Sequence, residues 1–377
     1  MKYKVIPIIK LVCIVYLAIF VPRFVWFKST NKPIPKKEPP VTMIGIQNLT
    51  SNKTDNFNWI KKLRLALVSD KISNKNNLIK NGFKVQKLFL VNKKNKTLQD
   101  LTPESLANTD AIAFDMTSYG LRIDPCFESL NKTIKLAANN NKKLIILDRP
   151  NPLGRCIEGP GDIPLKPGLT TAELALYLNK YILHKPANLT IVPMTNWQAN
   201  KPLANIKSDF LPKKFKNLNA LYGYSFLKFL KQIRPIKVEQ DGENKYQVLI
   251  LPKAQQLSEW ETDYLKKLCF KLGMFCSSSI EGGIKIRVKK DINNFSSFNS
   301  IINLARFLQN RKRLKLCYSP KFDKLLGSNI LTSFLQNKIS FENLKHKIET
   351  DDTEFEKRVQ SCILYRPLPY VKIIERV

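Results

Sequence analysis

The densest group of residues able to do chemistry is Asp148-Arg149-Pro150-Asn151-Pro152-Leu153-Gly154-Arg155-Cys156-Ile157-Glu158-Gly159-Pro160. An apolar run, Lys143 to Leu147, ends on Asp148. A loop stiffened by proline and glycine follows, carrying Arg149, Asn151, Arg155, Glu158 and, just beyond, Asp162. Prolines fix backbone angles at low entropic cost, which suits polar groups held ready for a ligand. Asparagine offers a donor and an acceptor to a sugar amide or hydroxyl, and arginine a forked clamp for a carboxylate. The same loop also fits a rigid structural turn in which Asp148 and Arg149 form an ordinary ion pair.

The elements around this loop alternate. Short apolar segments at Leu63 to Ser69, Phe83 to Val91, Ala111 to Met116, Lys143 to Asp148 and Leu189 to Val192 read as strands. Pro125 to Asn139 carries apolar residues at three- and four-residue spacing and reads as a helix. Thr170 opens another helix, with Glu173 completing a capping box and Leu174, Leu178 and Tyr181 as its stripe. Such alternation predicts an α/β fold, a Rossmann-like parallel sheet covered on both faces. Ligands of these sheets bind beyond the carboxyl ends of the strands, where Asp115 and Asp148 stand. A smaller α/β unit follows, with strands at Tyr246 to Leu251 and Ile284 to Val288. Its helices are a Ser258-capped one, with Trp260, Tyr264, Leu265 and Leu268 as apolar positions, one from Phe298 to Leu308, and helical patterns over Phe322 to Leu335 and Phe341 to Leu364.

Before the first strand, Lys2, Lys4 and Lys10 precede an uncharged run from Leu11 to Pro22. A cationic start and a short apolar middle predict a signal peptide or membrane anchor over 1–27. Pro33, Pro35, Pro39 and Pro40 among Lys, Asn, Ser and Thr predict a linker over 28–58. The expected domains are then 59–215 and 216–377, outside the cytoplasm, in the periplasm or cell envelope. Lys plus Arg exceed Asp plus Glu by 33 in 377 residues. The lysines form no block with interleaved aromatics, which argues against a nucleic-acid partner and leaves attraction to acidic polymers open. An apolar content of 44% excludes a disordered chain. With only His184 and His346 and no C-x-x-C spacing, no metal and no cofactor is expected. Past the leader, six cysteines would be free to pair in an oxidising compartment, although small buried thiols are the simpler expectation.

Several motifs, in order, resemble the NamZ-type exo-β-N-acetylmuramidases of bacterial cell-wall turnover. They are Leu147 to Pro160, Gly168 to Ala175, Thr190 to Met194 with Trp197, and Phe114 to Arg122. Weaker matches follow at Glu281-Gly282-Gly283, Phe322-Asp323, Leu326-Gly327 and Ile363-Leu364-Tyr365. The resemblance runs from about residue 60 to 366 and implies removal of terminal N-acetylmuramic acid from peptidoglycan fragments. Glycoside hydrolysis usually takes two carboxyl groups flanking the bond. Asp115, Asp148 and Glu158, carboxylates near the predicted cleft though not where the family's acid would stand, are the catalytic candidates, with Arg122, Arg149, Asn151 and Asp162 expected to bind the sugar. This chain departs from the pattern at three positions. The family's Gly-Pro-Glu-His-Gly loop, which carries its leading acid, is replaced by Asn92-Lys93-Lys94-Asn95-Lys96. Ser118 stands at a second acidic position, and Pro167 where the family has histidine. Either displaced carboxylates do the chemistry, or the chain is a silent relative that binds peptidoglycan fragments.

Overall fold

The computed structural model describes residues 42–51, 55–91, 99–199, 211–212, 214–215, 218–234, 236–240, 247–250, 257–278, 283–288, 295–310 and 316–372. The expected leader, the loop Asn92 to Lys96 and Glu281-Gly282 lie outside the described residues. Helix α1 (Gly45–Thr50) leads through 3-10 turns at Asp55–Lys62 to β1 (Arg64–Ser69), α2 (Ile72–Lys80) and β2 (Lys84–Leu90). Then come β3 (Ala111–Asp115), α3 (Pro125–Asn139), β4 (Lys143–Leu147), the short β5 (Cys156–Ile157), α4 (Thr171–Tyr177) and β6 (Asn188–Val192). The strands form a five-stranded sheet in the order β2-β1-β3-β4-β6, with every pairing parallel.

Strand side chains alternate between faces, and the two faces are filled by different helices. Leu65, Leu67, Ile145, Leu147 and Val192 share a core with Ile44, Ile46, Leu49, Ile60 and Leu78. Ala66, Val68, Ile112, Phe114, Leu144 and Ile146 pack instead with Leu130 and Ile134 of α3 and Leu174 of α4. The linker expected over 28–58 is therefore too long. Residues 42–51 are folded: Ile44, Ile46 and Leu49 are buried, Met43 bridges Thr195, and the Gly45 N–H donates to the Asp148 carbonyl at 2.8 Å. Gly45 is required there, because a Cβ would lie 2.2 Å from the Asp148 nitrogen.

The second lobe comprises α5 (Leu218–Leu230), β7 (Ile233–Arg234), β8 (Lys237–Gln240), β9 (Gln247–Ile250), α6 (Glu259–Lys271), β10 (Met274–Ser278), β11 (Gly283–Val288), α7 (Ser297–Gln309) and β12 (Cys317–Tyr318). It continues with α8 (Pro320–Leu326), α9 (Ile330–Leu335) and α10 (Phe341–Val359), and the last strand among the described residues is β13 (Tyr370–Val371). Strands β10-β11-β9-β8 make an antiparallel sheet. Ile284, Ile286 and Val288 face its core while Lys285 and Arg287 face water, as their alternation predicts. The helical pattern from Phe322 to Leu335 is broken at Gly327, which adopts φ 72° and ends α8. In α6 only part of the expected stripe is inside: Leu265 and Leu268 are buried, whereas Trp260 is 72% and Tyr264 44% exposed. Tyr181, expected on the apolar stripe of α4, is likewise exposed.

The chain crosses back over the boundary expected at 215/216. Leu344 and Ile348 at the start of α10 belong to the second core, while Phe355 and Val359 at its end belong to the first. Strand β13 pairs in parallel with β5. Among the described residues, no helix is long and apolar enough to cross a membrane.

Candidate functional site

In an open parallel sheet the chain reverses its winding where a crevice opens beyond the strand ends, here between β1 and β3. The residues leaving those ends are Ser69-Asp70 and Asp115 to Tyr119. Asp115 is fully buried and is clamped by Arg149 from the end of β4, whose Nε and Nη2 reach one carboxylate oxygen each, the latter at 3.0 Å. The expected Asp148–Arg149 ion pair is therefore not the one formed. Successive residues at a strand end point to opposite sides, so Arg149 turns to Asp115 and only its backbone N–H meets Asp148 Oδ1, at 2.8 Å. Asp148 accepts further from the Ala172 N–H at 2.8 Å and Thr170 Oγ1 at 3.1 Å, and it bonds the Tyr365 hydroxyl. Burial, reinforced by the Glu173 charge, pushes the Asp148 carboxyl up to about 7.

The loop after β3 is pinned by Asp124, the N-cap of α3, which accepts from Phe127 N–H, Ser118 Oγ and Tyr119 N–H. Ser118 thus serves a cap rather than supplying an acid. Asn151 Oδ1 accepts from Leu153 N–H at 2.8 Å and packs on Gly120, where a Cβ would come within 2.1 Å of it.

Two of the expected site residues lie elsewhere, as joints between the lobes. The Glu158 side chain is 1% exposed; its carboxylate accepts from Lys166 Nζ and Ser296 Oγ, both at 2.6 Å, and from the Phe298 N–H. Phe298 opens the first turn of α7, whose free N–H groups and positive dipole end favour a carboxylate. Burial alone would push this carboxyl up; the Lys166 and Lys372 ammoniums and Ser296 outweigh it and hold it below the ordinary glutamate value. A carboxylate so engaged and so acidic is unsuited to protonate a leaving group. Arg122 is the mirror case. Its Nη2 donates to the Leu325 carbonyl at 3.1 Å, at the carboxyl end of α8, and its guanidinium lies against Gly327. Asp162 is exposed, and its carbonyl accepts from the Tyr177 hydroxyl at 3.0 Å.

The structure therefore brings Asp115, Asp148, Arg149 and Asn151 together and leaves Glu158, Arg122 and Asp162 outside. It adds residues that were not among the expected site residues. Arg155 forms a buried pair with Glu173, whose other contacts are the N–H groups of Thr170, Leu364 and Tyr365. Tyr365 then reaches Asp148 and accepts the Met194 N–H at 2.7 Å, so the C-terminal segment closes the back of the site. Asp70, half-buried at the end of β1, acts electrostatically on Arg149 and Tyr119 and keeps a buried carboxyl oxygen without a partner. Its signal was the same as that of Asp115 and Asp148, an acid where an apolar strand stops. Thr117 Oγ1, Asn151 Nδ2 and Trp197 Nε1 are also buried and have no partner among the described residues. Buried polar groups are normally paired, so such atoms at one sheet edge are groups to which a ligand could bond. Among the described residues, no group of metal-ligating side chains is assembled.

Residues 68–214 match the family model described as the N-terminal part of exo-beta-N-acetylmuramidase NamZ. The peptidoglycan beta-N-acetylmuramidase NamZ of Bacillus subtilis is 25% identical over 290 residues, covering 70% of this chain and 69% of that protein. Two crystal structures of DUF1343 family proteins from Bacteroides fragilis align with TM-scores of 0.63 and 0.62 at 19% identity. They cover 86% and 87% of this chain and 99% of each of theirs, a likeness of fold.

Proposed function

We propose that this chain, which belongs to the NamZ family of exo-beta-N-acetylmuramidases as a divergent member, recognises peptidoglycan fragments that carry N-acetylmuramic acid. The observation that carries the reading is the placement of the Asp148–Pro160 loop. It begins at the carboxyl end of the parallel sheet, beside buried polar atoms that lack partners. Arg149, locked on Asp115, holds the loop in place, and Asn151 keeps an unpartnered amide Nδ2. The excess of 33 positive charges favours encounter with a polymer rich in lactyl and peptide carboxylates. Such a polymer lies outside the cytoplasm, which fits an exported or membrane-anchored protein. Titration of the full-length chain with a defined muropeptide tests the reading; no saturable binding would refute it.

Recognition without hydrolysis is the form we favour. The three carboxylates nominated as catalytic are each 1% exposed or less, and each is already fully engaged. The loop that carries the family's leading acid is replaced, and losing a general acid costs about 10²–10⁴-fold in rate. Hydrolysis is the second reading. It is favoured by the Asp148 carboxyl near 7 and by the unpartnered oxygen of Asp70, two acids at the ends of β4 and β1 with β3 between them. Release of N-acetylmuramic acid that disappears in Asp70→Asn but survives in Glu158→Gln would establish it.

A further inference from the structure

Between the loop after β4 and the segment after β6 lies a pocket with room for about 10 Å³, lined by Asn151, Arg155, Gly168, Thr170 and Trp197. That is the space of one water-sized atom. Three of the lining side chains hold a buried N–H with no partner among the described residues: Asn151 Nδ2, Arg155 Nε and Trp197 Nε1. Asn151 is 4% and Arg155 6% exposed, so bulk water does not readily satisfy them. The acceptors of the same wall are in use. Asn151 Oδ1 is taken by the Leu153 N–H, the Gly168 carbonyl by Arg155 Nη1, and Thr170 Oγ1 accepts from the Glu173 N–H. A wall that offers donors and spends its acceptors is built for an acceptor oxygen.

Charge narrows the choice. The Arg155 guanidinium is already matched by Glu173 in a buried pair, and Asp148 stands directly behind Thr170. A carboxylate entering here would face the Glu173 charge across an arginine that Glu173 already neutralises, whereas a neutral carbonyl offers the same acceptor without that repulsion. We propose that this pocket receives the carbonyl oxygen of the N-acetyl group of an amino sugar, with Asn151, Arg155 and Trp197 as its donors. The inference rests on the peptidoglycan reading above and names the substituent that the site reads.

The test uses the full-length chain and three sugars: N-acetylmuramic acid, N-acetylglucosamine, which lacks the lactyl group, and muramic acid, which lacks the acetyl group. Affinity and the indole N–H resonance of Trp197, identified by its loss in Trp197→Phe, are both followed. Both acetylated sugars should move that resonance, and muramic acid should bind at least about 10-fold more weakly. Trp197→Phe should weaken the acetylated sugars by about 2–10-fold. Asn151→Asp, which keeps the acceptor for Leu153 and removes the donor, should weaken them further. A resonance that follows the lactyl group instead would overturn the proposal in favour of a carboxylate site. Muropeptide binding with Trp197 unmoved by any sugar would overturn the pocket and leave the wider reading standing. No binding of muropeptide or sugar would overturn both.

Discussion

Replacing Glu158 with Gln removes one charge from a sealed joint, and the structure sets the consequence. The side chain is 1% exposed and its ion-pair partner Lys166 3%, and the two are joined at 2.6 Å. Glutamine retains acceptors for Ser296 Oγ and the Phe298 N–H, so the geometry of the α7 cap survives. The ammonium of Lys166 is then left inside without a counter-charge. Breaking a buried pair from one side costs about 3–5 kcal/mol, and the lost charge at a helix N-terminus adds about 0.3–1 kcal/mol. Removing Lys166 as well, in Glu158→Gln with Lys166→Met, should restore most of the loss, because no orphan charge remains. Urea unfolding of the two variants and the parent at pH 7 measures this. The pH dependence has a defined sign. A carboxyl held below its unfolded value near 4.5 contributes stability that is fully present above that value. The contribution fades as pH falls through the lower folded value, so the gap between parent and Glu158→Gln should close in acid. An unchanged unfolding midpoint together with lost activity on muropeptide would refute the joint and return Glu158 to the catalytic list.

Arg149→Met should cost about 3–5 kcal/mol by the same reasoning, since it strands the fully buried Asp115; chemical unfolding reads it directly. Asp352, on α10, is buried with Oδ1 unpartnered, and burial with the nearby Glu158 charge pushes its carboxyl up to about 8. Its neutral form is the one folding favours, so its contribution is whole below about pH 4 and is lost as pH rises through 8. Asp352→Asn should therefore stabilise the protein by on the order of 1–3 kcal/mol at pH 8 and by little at pH 4, as thermal melts across that range would show. Gly45→Ala should lower stability by about 1–3 kcal/mol, because the added methyl meets backbone of both β4 and β6, which has no side chain to swing aside. Under native thiol labelling Cys317, which is exposed, should react first, while Cys126, buried with its thiol pushed well up, should stay unreacted until unfolding.

The parts of this molecule legible in its sequence are those set by local periodicity and capping. The α3 limits, Pro125 to Asn139, follow from its stripe, and the capping boxes at Thr170/Glu173 and Ser258/Glu261 both form. Acids where β3 and β4 stop, Asp115 and Asp148, were legible in the same way. What escaped depends on distant partners. Helix α2 buries only Asn74 and Leu78, too little for a stripe. Helix α1 looked like linker because its anchor is a backbone contact between Gly45 and Asp148, which no pattern announces. Arg149 reaches across 34 residues to Asp115 past its own neighbour Asp148. Glu158 resembled a site acid because its true partners, Ser296 and Phe298, come from the second lobe.

Recognition of a muramic-acid-bearing fragment can rest on a built site or on charge alone. Isothermal titration of the full-length chain with a defined muropeptide, at physiological salt and again at about 0.5 M, separates the two, because salt screens exposed charges and leaves buried hydrogen bonds. A built site gives saturable binding to one site that persists at the higher salt and falls in Asn151→Asp. Binding that vanishes at the higher salt, or is indifferent to Asn151, would contradict it.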